Sequence, residues 1–273
     1  MNNSMIEFLK DKAKWVRKET LNIHRIAPET RLASSLSCVE IFVVLYYGKV
    51  LSFNPSDIQL QDRDRFIISK GHGAISFYPI LADLGFFDKH ELGRVCKEGS
   101  FLGGIPDCII PGFETTNGSL GHGLGVACGM ALALKRKNRN EKVFVLIGDG
   151  ELYEGSVWEA VMFAGEHKLD NLRLIIDNNK ICMLDYCKNI LDLDPLNEKF
   201  KVFKWNVEAV DGHDVKHLYN TMIKFKEDRN DKPKVIIANT VKGKGVPSLE
   251  TDPLSHIKVL KENEIETAIA GLK

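Results

Sequence analysis

No stretch of the 273-residue sequence approaches the roughly 20 consecutive apolar residues that a membrane-spanning helix needs, so no membrane association is expected. Nor is there an excess of charge of one sign. Thirty-seven lysines and arginines balance 37 aspartates and glutamates without a long like-charge run, leaving no footprint for nucleic acid or an anionic surface. Small molecules and other proteins are the expected partners. Paired cysteines are missing too: Cys38, Cys96, Cys108, Cys128, Cys182 and Cys187 show neither CxxC nor metal-finger spacing, which suits reduced thiols in a cytoplasmic protein. Residues 1–23 scatter Lys10, Lys12, Lys14, Arg17 and Lys18 among apolar positions, so they read as an amphipathic helix rather than a signal peptide. There is no internal repeat, low-complexity tract or clear linker, and a single domain over residues 1–273 is the expectation.

What is present is alternation. Short apolar runs predict strands at Arg65–Ser69, Val143–Gly148, Leu172–Asp177, Asn206–Val210 and Lys234–Thr240. Helical spacing predicts helices over Ser4–Ile23, Ser37–Tyr47, Ile75–Leu84, Gly121–Lys137, Gly155–His167, His213–Lys226 and Lys261–Ala270. The pattern is that of an α/β fold, a mostly parallel sheet with helices on both faces. The polar segment "ANTVKGKGVPSLETDPLSH" (238–256) reads as a loop over the carboxyl edge of that sheet, where ligands of such folds sit.

The most informative stretch is "VLIGDGELYEGSVWEA" (145–160), in which a strand breaks at Gly-Asp-Gly and acidic residues follow. An Asp between two glycines past a buried strand can project into a crevice while the backbone closes on a ligand. A tight turn explains the tripeptide equally well, and chance alone produces one in about one chain in fifteen of this length. The next predicted strand, however, ends in Asn178 and Asn179. A side-chain carbonyl from there and the backbone carbonyl of Ile181 can join Asp149 around an ion such as Mg²⁺, which takes few protein ligands and fills its shell with phosphate oxygens and water.

Taken together, "GDGELYEG" and "IIDNNKI" resemble the cofactor signature of the transketolase-like enzymes that depend on thiamine diphosphate. The resemblance runs from about residue 34 to 214 and implies that Asp149, Asn179 and the Ile181 carbonyl hold the metal, Mg²⁺ or in its place Ca²⁺ or Mn²⁺. It places the Gly150 amide against the diphosphate. "DRFIISKGHGAISFYPILADLGF" resembles the segment carrying a diphosphate-side histidine, here His72, with a catalytic role. "PGFETTNGSLGHGLGVACGMALAL" resembles the cofactor loop, with Gly118 near the diphosphate and Leu120 near the thiazolium ring. His122 in that loop, where many relatives carry another polar residue, stands at a helix start, a position that suits donation to an anion. Glu154 resembles a glutamate of the acidic network linking paired cofactor sites, and it equally suits the first turn of a helix. His256 is matched to a late active-site histidine, although "SHIK" lacks the glycine that usually follows. "KGKG" (242–245) can contact phosphate but reads more simply as a solvated turn, and Asp211–Asp214 as a turn with Asp214 capping a helix.

Two substitutions set the chain apart from ordinary transketolases. Arg31 and Ile105 stand where the family carries histidines that contact the sugar, which points to a specialised sugar substrate. The chain also resembles only the diphosphate-binding half. The glutamate that activates the cofactor's pyrimidine ring is expected on a separately encoded pyrimidine-binding, C-terminal subunit, with self-association through the diphosphate domain giving a heterotetramer. The reading is thus the N-terminal subunit of a split transketolase, transferring a two-carbon ketol unit from a ketose donor to an aldehyde acceptor. The alternatives are the alpha subunit of a 2-oxo acid dehydrogenase and a non-catalytic regulatory homologue.

Overall fold

The computed structural model describes residues 2–57, 60–183 and 185–272. Its five strands are β1 (Arg65–Ile68), β2 (Val143–Gly148), β3 (Leu172–Asn178), β4 (Asn206–Asp211) and β5 (Lys234–Asn239). They form one parallel sheet in the order β1-β2-β3-β5-β4. Each expected strand is present with its ends shifted by at most one residue. The helices are α1 (Asn3–Ile26), α2 (Leu32–Leu36), α3 (Val39–Tyr46), α4 (Tyr78–Asp83), α5 (Gly123–Arg136), α6 (Gly155–Glu166), α7 (Cys187–Ile190), α8 (Leu196–Val202), α9 (Val215–Glu227), α10 (Pro247–Glu250) and α11 (Glu262–Gly271). The helix expected over Ile75–Leu84 is instead a 3-10 segment (Gly71–Ser76) followed by α4, with Pro79 in the first turn, where its missing N–H costs nothing.

Parallel strands must be joined by crossovers, and these cover both faces of the sheet. Successive strand residues point to opposite faces. Phe144, Leu146, Ile175 and Ile236 therefore join α1, α3 and α9 in one core, while Val145, Ile147, Leu174, Ile176 and Ile237 join α5, α6 and α8 in the other. A third cluster clamps Leu21, Leu32 and Leu36 to Val246, Leu249, Leu260 and Ile265, which draws residues 240–260 across the carboxyl edge of the sheet as expected. Asp214 caps α9 as anticipated, its Oδ1 accepting from the amides of Lys216 (2.9 Å) and His217 (3.1 Å). His213 beside it is more than a turn residue. Nε2 accepts from the Val241 amide (2.8 Å), so Nδ1 donates to Glu40 (2.9 Å), which also takes both terminal nitrogens of buried Arg17.

Candidate functional site

The sheet register aligns the strand ends that carry the chemistry: Gly148 lies opposite Asp177, and Asn178 opposite Asn239. Just beyond β2, buried Asp149 accepts from the Gly150 amide (2.8 Å) through Oδ1 and from the Lys180 amide through Oδ2, tying the two strand ends together. Asn179 folds back on itself, its Oδ1 accepting from the Ile181 amide (3.2 Å), so its amide oxygen and the Ile181 backbone lie in one compact turn. A side chain on Gly150 would press to 3.0 Å from the Cys182 sulfur, which explains the second glycine by close approach.

These groups open onto a cavity of about 250 Å³. It brings together His72, Gly118, Leu120, Asp149, Gly150, Asn179, Ile181 and His256, all anticipated from the sequence. Arg31, Ile105, His122 and Glu154 are not on its wall. Arg31 stands half-buried just before α2, and its charge helps hold His256 in the neutral form. Ile105, 47% exposed, packs beside Gly71 and within 4.0 Å of a side chain built on Gly118, next to the mouth. His122 and Glu154 are exposed at the starts of α5 and α6. A wider, mostly apolar cleft of about 410 Å³ also borders Asp149, against Leu152, Tyr153 and Leu193, but His72, His256, Lys70 and Lys242 line the smaller cavity, with Asn179 and Ile181.

On and behind the cavity wall stand residues that the sequence did not single out. Lys70, 1% exposed, pairs with Asp177, 0% exposed, and donates to the Ser34 carbonyl (3.0 Å). Asp177 further accepts from Ser37 (2.7 Å), Thr240 and the Asn179 amide (3.2 Å), so it orients the metal-ligand candidate. Burial alone would favour the neutral forms of both partners. Their mutual charge outweighs it, holding Asp177 below the usual carboxylate range and Lys70 above its own. Breaking such a pair leaves an uncompensated buried charge, so Asp177→Ala should lower unfolding stability by about 3–5 kcal/mol. A loss below about 1 kcal/mol in a denaturant titration would show that the ion pair does not hold this end of the sheet together.

Lys242 corrects the solvated-turn reading of "KGKG". It is 3% exposed and donates to the carbonyls of Ile181 (2.8 Å) and Cys182 (3.0 Å) and to His256 Nδ1 (3.2 Å). Burial, with Lys70 nearby, lowers its pKa to about 8. Burial likewise pushes His256 down to about 3 and His72 well below the ordinary histidine value, with neighbouring positive charge adding to both. Both rings, 5.2 Å apart, are therefore neutral at pH 7 and able to donate one hydrogen bond each. Burial, then the charge of Asp177, raises Asp149 to about 6 against the bonds from Lys180 and Gly150.

No three His, Cys, Asp or Glu side chains among the described residues cluster as a metal site. The donor set is a carboxylate, an amide oxygen and a backbone carbonyl, all hard oxygens, and buried ammonium groups stand in the same cavity. That chemistry fits a divalent cation sharing the site with a diphosphate, since such a cation leaves most of its shell to phosphate oxygens and water.

The family model for transketolase, thiamine diphosphate binding domain, matches residues 22–272. The chain belongs to the transketolase family. It is 40% identical over 273 residues to a subunit of the apulose-4-phosphate transketolase from Actinobacillus succinogenes, covering 99% of this chain and 98% of that protein. It is 35% identical over 266 residues to a 6-deoxy-6-sulfo-D-fructose transketolase subunit from a Clostridium species, covering 97% and 96%. The crystal structure of Campylobacter jejuni transketolase superposes with a TM-score of 0.91 at 30% identity, covering all of this chain and 43% of that one. The family gives the cofactor as thiamine diphosphate with a divalent metal, and the protein is a transketolase-type transferase. The end-to-end match to proteins named as subunits supports the split form over the 2-oxo acid dehydrogenase reading.

Proposed function

We propose that this chain is the diphosphate-binding subunit of a two-subunit, cytoplasmic, Mg²⁺-dependent transketolase acting on a specialised sugar that carries an anionic group. The observation that carries this reading is the convergence of Asp149, Asn179, His72 and Lys242 on one cavity whose surroundings are apolar and exposed. Met183 on the wall is 57% exposed, and Leu254 (49%) and Ile257 (47%) flank His256. A pyrimidine-binding partner laid over this rim would bury it and close the cofactor in. Self-association is supported elsewhere: α5 and α6 pack together and leave Val126, Met162 and Phe163 each more than a third exposed, with Glu154 at the start of α6.

Bound thiamine diphosphate supplies the carbon nucleophile that breaks and re-forms the carbon–carbon bond. The chain's own residues position it. Asp149, Asn179 and the Ile181 carbonyl hold the metal, the Gly150 amide and Lys242 face the diphosphate, Gly118 and Leu120 bound the cofactor, and neutral His72 and His256 donate hydrogen bonds within the cavity. Near the mouth, Arg31 offers a fixed, fork-shaped cation and Ile105 an apolar wall. The named substrates of the two subunit relatives include a sugar phosphate and a sulfo sugar, and an anion at the far end of the substrate suits Arg31.

A charge-assisted hydrogen bond contributes roughly 1.5–3 kcal/mol, so Arg31→Ala should lower kcat/KM on the true substrate by about 10- to 150-fold. Ile105→His should improve cleavage of xylulose 5-phosphate by the reconstituted enzyme. Efficient wild-type turnover of that donor, with no gain in Ile105→His, would return the protein to ordinary pentose-phosphate chemistry.

A further inference from the structure

Glu151 follows the Gly-Asp-Gly turn and is 2% exposed, yet among the described residues no salt bridge reaches it. Its carboxylate instead takes donors from separate segments. Oε1 accepts from the Ser69 hydroxyl, at the end of β1, and from the Gly121 amide (2.8 Å), in the loop that carries Gly118 and Leu120. Oε2 accepts from the Gly148 amide (3.3 Å), at the end of β2 next to Asp149. Ser69 Oγ in turn accepts from the Gly123 amide (3.1 Å), which adds the first turn of α5.

The backbone is shaped to allow this. Gly121 has φ +86°, and a side chain there would meet Ser156 Oγ at 2.6 Å and Glu154 Cβ at 2.7 Å. One on Gly123 would meet Ser69 at 2.5 Å. The loop is thus wedged between the end of β1 and the start of α6 at a spacing only glycine permits, and that spacing brings the Gly121 amide to Glu151. An acidic side chain held by amide and hydroxyl donors, with no ion-pair partner among the described residues, is a costly way to fill space. It does gather the segments bearing His72, Gly118 with Leu120, and Asp149, three of the segments that line the cofactor cavity.

We infer that Glu151 is a positioning residue that holds these three segments in cofactor-binding geometry before thiamine diphosphate arrives. The inference rests on the cavity being the thiamine diphosphate site of the proposed enzyme. Preorganisation of this kind lowers the cost of binding and leaves the chemistry of the bound state nearly unchanged. Gln at this position keeps an oxygen for Ser69 and Gly121 but turns the Gly148 contact into two facing donors, and Ala removes all three bonds.

The test is calorimetric titration of thiamine diphosphate with Mg²⁺ into the complex with its pyrimidine-binding partner, for wild type, Glu151→Gln and Glu151→Ala. Kinetics at saturating cofactor and the unfolding midpoint of each complex accompany it. Cys128→Ala, which removes a buried thiol of α5, serves as the packing control. Glu151→Gln should raise the dissociation constant about 10-fold and Glu151→Ala about 100-fold, with kcat at saturating cofactor within about twofold of wild type. Cys128→Ala should lower the midpoint without moving the constant. If wild type binds while both Glu151 variants keep its dissociation constant, or lose only binding capacity in step with their unfolding midpoint, the positioning role is wrong. If Glu151→Ala does not fold, the Gln variant alone decides. Absence of binding by wild type would overturn the functional reading itself and the inference with it.

Discussion

Replacing Asp149 with alanine is expected to raise the dissociation constant for thiamine diphosphate in the presence of Mg²⁺ by at least about 100-fold. The candidate metal ligands are Asp149, Asn179 and the carbonyl of Ile181, and only the first carries charge. Without it a divalent cation would face two neutral oxygens, and the cations of the cavity do not compensate. Lys70 is already paired with Asp177, and Lys242 already donates to the Ile181 carbonyl. Removing the carboxylate also strands the Lys180 and Gly150 amides that it accepts from. Because burial and Asp177 raise Asp149 to about 6, and ligation needs the carboxylate, wild-type affinity should strengthen as pH rises through about 6 and weaken again above about 8, where Lys242 loses its charge. Cys182→Ala is the matched control. Its sulfur packs near Gly150 and is not a candidate metal ligand, so affinity should stay within about twofold. Equal affinity of Asp149→Ala and wild type, measured by calorimetry, would put the metal elsewhere.

The features legible in the sequence were those written in local patterns. β2 is apolar and β3 buried throughout because both faces of a parallel sheet are covered, and their abrupt ends at Gly148 and Asn178 located the metal-ligand candidates. The short helices α2, α7, α8 and α10, of four to seven residues, span too few turns for a periodic signal. Residues whose meaning depends on a distant partner were missed. Lys70 and Asp177 lie 107 positions apart, and nothing around either marks it as half of a buried pair. Lys242 sits in a Gly- and Lys-rich segment whose composition is that of a solvated turn. Its burial comes from the third hydrophobic cluster, which draws residues 240–260 onto the sheet edge. A lysine directly before "GHG" at a buried strand end was the available signal for Lys70, since an ammonium there needs a counter-charge. Glu151 could be suspected only as one acid among several, because Ser69, Gly121 and Gly148 reach it from three places in the chain.

The isolated chain is expected to show no ketol transfer above background, whereas the same chain mixed with its pyrimidine-binding partner should turn over at a rate at least about 1,000-fold higher. The cavity provides groups for the diphosphate end of the cofactor: oxygens for a metal, the Gly150 amide and the Lys242 ammonium. Activating the pyrimidine end requires a carboxyl group that holds a ring nitrogen, and the resemblance assigns that glutamate to the other half of the enzyme. The described residues form one five-stranded sheet, and its carboxyl edge is already committed to the diphosphate end. The exposed apolar side chains near the mouth, Ile105, Met183, Leu254 and Ile257, would gain a protein cover from the partner, which favours association through that face. If cofactor and Mg²⁺ are held between the two proteins as proposed, they should strengthen assembly, and the species should have the mass of a heterotetramer. The decisive measurement is the rate for each of the two proteins alone and for the mixture, with light scattering on the same samples. Turnover by this chain alone within tenfold of the mixture would sink the split-enzyme reading, and a strictly monomeric chain in the presence of partner, cofactor and Mg²⁺ would remove the interface on which it depends.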